Sequence, residues 1–223
     1  MSNRLLRATL VLIFCCSLSR APARADEPAN LSTAKHALAA YVESGNYVKD
    51  VATVALAANK YLTARIARGA KPDQKLAVVF DIDETALTNL PHIVANDYGY
   101  VPKVWDRWVA EGQARAVIPV QTVYDTAVRA KLAVFFITSR PESVRASTEK
   151  NLREVGYDTW TRIVFKPDAG PARSVAAFKR EARQQLAKEG YLIVVNIGDQ
   201  DSDLSGGFAE RTFKLPNPFY LTR

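Results

Sequence analysis

The sequence is short of the residues that staple or metallate small proteins. Its two cysteines, Cys15 and Cys16, both fall in the first 25 residues, and 223 residues contain only two histidines. With no cysteine further along, the rest of the chain is open neither to a disulfide framework nor to a thiolate zinc site. His36 falls on an expected helix and His92 in an expected insertion, and both read as structural. Neither lies near a plausible serine nucleophile, and no Arg-His-Gly run is present, so hydrolysis through a serine or histidine nucleophile is disfavoured. Long apolar runs are missing too: none approaches the roughly twenty residues a membrane-spanning helix needs.

The first 25 residues differ in character from the remainder of the chain. Arg4 and Arg7 make a basic start, Ala8 to Leu18 is a short apolar run, and Ala23-Arg24-Ala25 is a small-x-small cleavage signal. We read residues 1–25 as a secretory signal peptide, cut between Ala25 and Asp26, with a secreted or periplasmic product that has no membrane contact after cleavage. Removing Arg4, Arg7, Arg20 and Arg24 from the 30 basic residues leaves 26 against 23 acidic ones. The basic balance is therefore largely a property of the leader, and binding to a nucleic-acid polymer is not indicated. Residues 26–223, at 48% hydrophobic for the whole chain, suffice for a single cored domain.

Apolar residues spaced by threes and fours from Leu31 to about Arg68 predict two helices broken at Gly45-Asn46, the first capped by Ser32 or Thr33. Five short apolar runs come next: Leu76 to Phe80, Leu132 to Ile137, Ile163 to Phe165, Leu192 to Ile197 and Phe213 to Leu215. Strands alternating with amphipathic stretches predict an α/β fold with a parallel sheet. The connection from Leu87 to Lys131, with Tyr98, Tyr100, Trp105 and Trp108, is too long for a simple crossover. It predicts a cap insertion over about 87–120, followed by a helix from Val120 to Ala130.

Three runs end in polar clusters, FDIDET, ITSRP and IGDQDSD, and parallel strands bring such ends to one edge. Asp81, Asp83 and Glu84 crowd like charges at the end of a buried strand, which is costly without a cation or a reaction to use them. Carboxylates from two strand ends, without cysteine, select a hard oxygen-loving cation, and Mg²⁺ suits a site that also holds phosphate. One carboxylate is then left to attack phosphorus.

FDIDET, ITSR and GDQDSD, with a lysine between the last two, resemble the haloacid dehalogenase (HAD) superfamily of phosphatases. FDIDETALTN, WDRWV and LPNPFY are similar to the class C bacterial acid phosphatases and the related plant acid phosphatases and vegetative storage proteins. The resemblance implies a Rossmann-like sheet with helices on both faces and a small helical cap formed by the N-terminal helices and the insertion. It makes Asp81 the nucleophile and Asp83 the acid and base, has Thr138 bond the phosphoryl oxygens, and puts Lys166 in charge of balancing the phosphoryl group. Asp199 would bind Mg²⁺ beside Asp81 and the backbone carbonyl of Asp83, with Asp203 in support. Trp105 and Tyr220 would sandwich the substrate's aromatic group, Ser139 stands where relatives often have Asn, and Arg140 either contacts substrate or braces its loop.

The implied activity is a Mg²⁺-dependent acid phosphatase acting on small phosphomonoesters, nucleoside monophosphates or aryl phosphates, through an aspartyl-phosphate. The alternatives are a storage or ligand-binding protein on the same fold, and phosphotransfer to an alcohol.

Overall fold

The computed structural model describes residues 27–170 and 173–222. The expected signal peptide and its cleavage site lie outside them. Among the described residues, no helix is long and apolar enough to cross a membrane.

The chain opens with α1 (Leu31–Glu43) and α2 (Asn46–Ala67), separated by Gly45 at φ 76°. The cap of α1 is Asn30 rather than Ser32 or Thr33. Its side-chain oxygen accepts from the backbone N–H groups of both residues, which puts them inside the first turn. Next come β1 (Lys75–Phe80), then β2 (Leu87–Thr88), α3 (Leu90–Ala95), α4 (Pro102–Glu111), β3 (Arg115–Ala116) and α5 (Ile118–Arg129) within the long connection. The chain continues through β4 (Ala133–Pro141), α6 (Arg145–Glu154), β5 (Arg162–Lys166), α7 (Val175–Lys188), β6 (Tyr191–Gly198), α8 (Asp201–Leu204) and β7 (Thr212–Lys214).

The main sheet runs β5-β4-β1-β6-β7, and every pairing in it is parallel. Because strand side chains alternate, β1 feeds two cores. Ala77 and Val79 meet Phe135, Ile137, Ile193 and Leu186 on the α7 side. Val78 and Phe80 meet Phe136, Val195, Val123 and Leu62 on the side covered by α2, α5 and α6. Residues buried on both faces explain why the strands read as continuous apolar runs.

The N-terminal helices do more than the expected cap role. Val51, Ala55, Ala58 and Leu62 of α2 are buried in the main core, and only its start reaches the cap side, where Tyr47 meets Phe219 edge-on at 5.1 Å. The i, i+4, i+7, i+11 spacing of these four residues puts them on one face of α2, and that is the face it buries. The insertion is pinned at its base by the antiparallel β2–β3 pair, and Asn151 of α6 grips Ala114 at both its N–H and its carbonyl.

If α2 belongs to the cooperative core, Leu62→Ala, which empties a site with no solvent exposure, lowers unfolding free energy in urea by about 2–5 kcal/mol. A loss below about 1 kcal/mol would detach α2 from that core.

Candidate active site

The carboxyl ends of β1, β4 and β6 lie side by side, and the residues just beyond them converge. Asp81 continues the sheet, its N–H donating to the carbonyl of Ile197 at 3.0 Å, which sets its side chain next to the end of β6. There Gly198 is a requirement of space: a Cβ on it would lie 2.3 Å from the Cβ of Asp203. The missing side chain lets Asp203 fold back against the strand. Asp81, Asp199 and Asp203 thereby offer oxygens that all lie within 4.8 Å of one another, and all three residues are buried.

A buried lysine faces this cluster, and it is Lys179. Its Nζ donates to Oδ1 of Asp81 and, at 2.6 Å, to Oδ1 of Asp203. Burial works against its charge, but the two carboxylates more than offset that and hold its pKa above the ordinary lysine value. Lys166, expected in this place, is exposed at the end of β5 and lines a separate depression with Asp168, Arg173 and Phe178. The physical reason is reach: β5 is the sheet's edge strand, two strands away from β1, whereas α7 lies across that face. Lys179, Ala182, Arg183 and Leu186 form the buried stripe of α7, and two cations within an apolar i, i+3, i+4, i+7 pattern are the sequence signal that marks them. Arg183, one turn on, donates to the carbonyls of Asp203 at 2.5 Å and Gly207 at 3.0 Å, and also to that of Ser205, fixing the loop that carries Asp203.

Asp83 points elsewhere. Arg140 grips its carboxylate with Nη2 at 2.7 Å and Nε at 3.1 and 3.2 Å, and Asn89 donates a further bond at 2.9 Å. Arg140 also donates to Thr148 and is 3% exposed, so in this structure it braces Asp83 and does not face open space. The cluster of side-chain oxygens is thus Asp81, Asp199 and Asp203, and the Asp83 carboxylate, expected beside Asp81, is not part of it. Thr138 is fully buried, with its hydroxyl accepting from the N–H of Arg140 at 3.1 Å, while its neighbour Ser139 lines the pocket beside Asp81.

Titration is set by burial and neighbours. Burial pushes Asp81 well above the usual carboxylate range; Lys179 pulls it back, and Asp203 and Asp199 push it up again. Asp199 is raised by burial and by Asp203. Burial and the nearby Asp83 lift Glu84 to about 8. Asp83 is also buried, but the Arg140 guanidinium outweighs that and holds it below the ordinary value. Three clustered carboxyls with one lysine between them form an oxygen-only donor set short of positive charge, which fits a hard divalent cation.

Beside the acidic pocket opens a cavity of about 480 Å³ that shares Asp83, Ser139, Tyr220 and Thr222 with it and is walled by Trp105, His92, Tyr98 and Phe219. Trp105 and Tyr220 thus line the same space. His92 packs against Trp105 and Trp108, each at 5.5 Å, and so helps to shape that wall. An open depression of about 540 Å³ at the opposite sheet edge, around Lys75, Ala133 and Tyr191, has no carboxylate in its lining and offers no comparable chemistry.

Residues 5–223 match the family described as HAD superfamily, subfamily IIIB (acid phosphatase). The chain belongs to this family. It is 36% identical over 186 residues to a stem 28 kDa glycoprotein of Glycine max, covering 81% of this chain and 71% of that protein. To acid phosphatase 1 of Solanum lycopersicum it is 36% identical over 146 residues, 64% of this chain and 57% of the relative. The solved class C acid phosphatase from Bacillus anthracis aligns with a TM-score of 0.69 at 25% identity, over 86% of this chain and 85% of that one. The subfamily IIIB chain therefore has the fold as well as the acidic strand ends expected of it.

The raised carboxyls carry a pH signature. A carboxyl whose pKa is higher in the folded state favours folding at low pH; for Glu84 that contribution is full below about 4.5 and is lost as pH rises through about 8. Asp81 and Asp199 act in the same direction. In chelator, the thermal midpoint should therefore fall between pH 5 and 8, and saturating Mg²⁺ should shrink the fall. A midpoint that rises with pH in chelator would contradict the cluster's electrostatics.

Proposed function

We propose that this chain is a Mg²⁺-dependent phosphomonoesterase that transfers a phosphoryl group to Asp81 and then to water. The observation that carries the reading is the junction of two pockets at Asp83: an acidic, lysine-bearing one fit for a phosphoryl group and an aromatic one fit for its leaving group.

Lys179 occupies Oδ1 of Asp81, and among the described residues Oδ2 has no hydrogen-bond partner, so Oδ2 is the oxygen available to attack phosphorus. As the Oδ2–P bond forms, the bond from phosphorus to the leaving oxygen breaks, and Asp83 gives that oxygen a proton. Water then attacks phosphorus, its proton passes to Asp83, and the bond to Asp81 breaks. Lys179 offsets the charge that collects on Asp81 and the phosphoryl oxygens. Arg140 holds Asp83 ionised, which suits taking a proton from water and opposes giving one. Substrate binding must therefore loosen the Arg140 pair before Asp83 can serve as the acid. A divalent cation held by Asp81, Asp199 and the carbonyl of Asp83, with Asp203 in support, supplies charge neutralisation at the transferring group.

The wall of Trp105, Tyr98 and Tyr220 favours a planar leaving group, such as an aryl or nucleoside moiety. Export through the N-terminal 25 residues, leaving a secreted or periplasmic enzyme, completes the proposal. A storage or ligand-binding role on the same fold is the rival, and turnover above a metal-free control separates the two.

With Mg²⁺ at pH 5 to 7, the chain from Asp26 onward should release phosphate from p-nitrophenyl phosphate and nucleoside monophosphates, and no release from either ends the proposal. Asp81→Asn should lower kcat by at least about 10³-fold with the fold retained. Lys179→Met should cost about 10²-fold or more and Lys166→Met less than about 2-fold. A larger loss at Lys166 would return the charge-balancing role to the edge strand.

A further inference from the structure

Glu84 has no part in the chemistry above, yet it is 1% exposed and sits at φ 52°, a left-handed conformation unusual for a residue with a side chain. Its carboxyl is a junction. One oxygen accepts from the backbone N–H of Asn89 at 2.5 Å; the other accepts from the side-chain amide of Asn89 at 3.0 Å and from the hydroxyl of Tyr220 at 2.9 Å.

The amide of Asn89 has a single orientation available. Its oxygen accepts from the Trp108 indole N–H at 2.8 Å, which leaves its two N–H protons for Oε2 of Glu84 and, at 2.9 Å, Oδ1 of Asp83. Turning the amide over would set N–H groups against the indole donor and leave both carboxyls without theirs. The same Glu84 oxygen anchors Tyr220, whose ring lines both pockets and whose segment is held at Asn217 by Asp199, at 2.7 Å.

We propose that Glu84 is a positioning residue: it fixes the Asn89 amide, and through it the Asp83 carboxyl, while tethering Tyr220 over the junction of the two pockets. The consequence for rate rests on the phosphatase reading; the tether does not. One buried carboxyl thus aligns the acid-base group and closes the leaving-group wall, which accounts for a glutamate that binds neither the cation nor the phosphoryl group.

The two arms separate kinetically. Glu84→Gln keeps the volume but turns an N–H donor toward the Asn89 amide donor, while the Tyr220 hydroxyl can still pair by accepting. It should lower kcat about 10- to 100-fold on both phenyl phosphate and glycerol phosphate. Asn89→Ala should do the same, and the double variant should fall no more than about 2-fold below the poorer single one, because both break one link. Tyr220→Phe should raise KM for phenyl phosphate at least about 5-fold more than KM for glycerol phosphate, and should speed amide hydrogen exchange at residues 219–222. Losses that multiply in the Glu84→Gln/Asn89→Ala chain, or losses that track only the unfolded fraction, overturn the positioning role. If the parent chain turns over nothing, the phosphatase reading fails, and exchange at 219–222 still decides the tether: unchanged protection in both Tyr220→Phe and a Glu84→Ala chain overturns it.

Discussion

Mutual repulsion among buried carboxyls is the constraint that the rest of the site answers. Asp81, Asp199 and Asp203 lie within 4.8 Å of one another at the end of a sheet whose strands are apolar on both faces. Uncompensated, such a group would ionise poorly and pull the strand ends apart. Lys179 answers part of that repulsion, and the structure commits a good deal to keeping it there. Asp203 holds it from the far side, Gln200 holds Asp203 through its backbone N–H at 2.8 Å, and Arg183 clamps the loop behind. The bare Cα of Gly198 makes the approach possible.

The second acidic pair is handled by separation. Asp83 lies two residues from Asp81, but the chain has left the strand and its side chain is led away by Arg140 and Asn89. A single strand exit therefore presents one carboxyl to a cation-poor cluster and another to a guanidinium, and their proton affinities diverge in opposite directions. The divergence runs against the proposed roles, since a nucleophile must be ionised and an acid protonated. A bound cation would therefore have to lower Asp81, and substrate binding would have to loosen the Arg140 pair on Asp83. The insertion and the C-terminal segment then wall off the side of Asp83 that faces the larger cavity, with Phe219 stacked on Tyr98 at 6.2 Å.

Much of this was legible in the sequence for physical reasons. Strands buried on both faces must be apolar throughout, so β1, β4 and β6 stood out, and their polar exits marked the edge where Asp81, Ser139 and Asp199 meet. The break at Gly45 was legible because few other residues take φ 76° without strain. What stayed hidden was everything decided by which helix face turns inward. Lys166 and Lys179 both lie between the second and third polar clusters, and linear order cannot say that β5 sits at the sheet's edge while α7 crosses beneath β1. The burial of Lys179 and Arg183 could be read only as charges misplaced in an apolar stripe. Arg140 and Glu84 were hidden for another reason: their partners, Asp83, Asn89 and Tyr220, are set by a left-handed turn and by a C-terminal segment folded back over the site, neither of which has a periodicity to read.

The central claim, that Asp81 itself takes the phosphoryl group, is tested most directly by acid-quenching the Mg²⁺-loaded chain during turnover of a phosphorus-labelled aryl phosphate and mapping the label. The account predicts an acid-stable, hydroxylamine-labile label on the peptide that contains Asp81. Phosphate release with no bound label under conditions that trap acyl phosphates, or a label on any other residue, would contradict it.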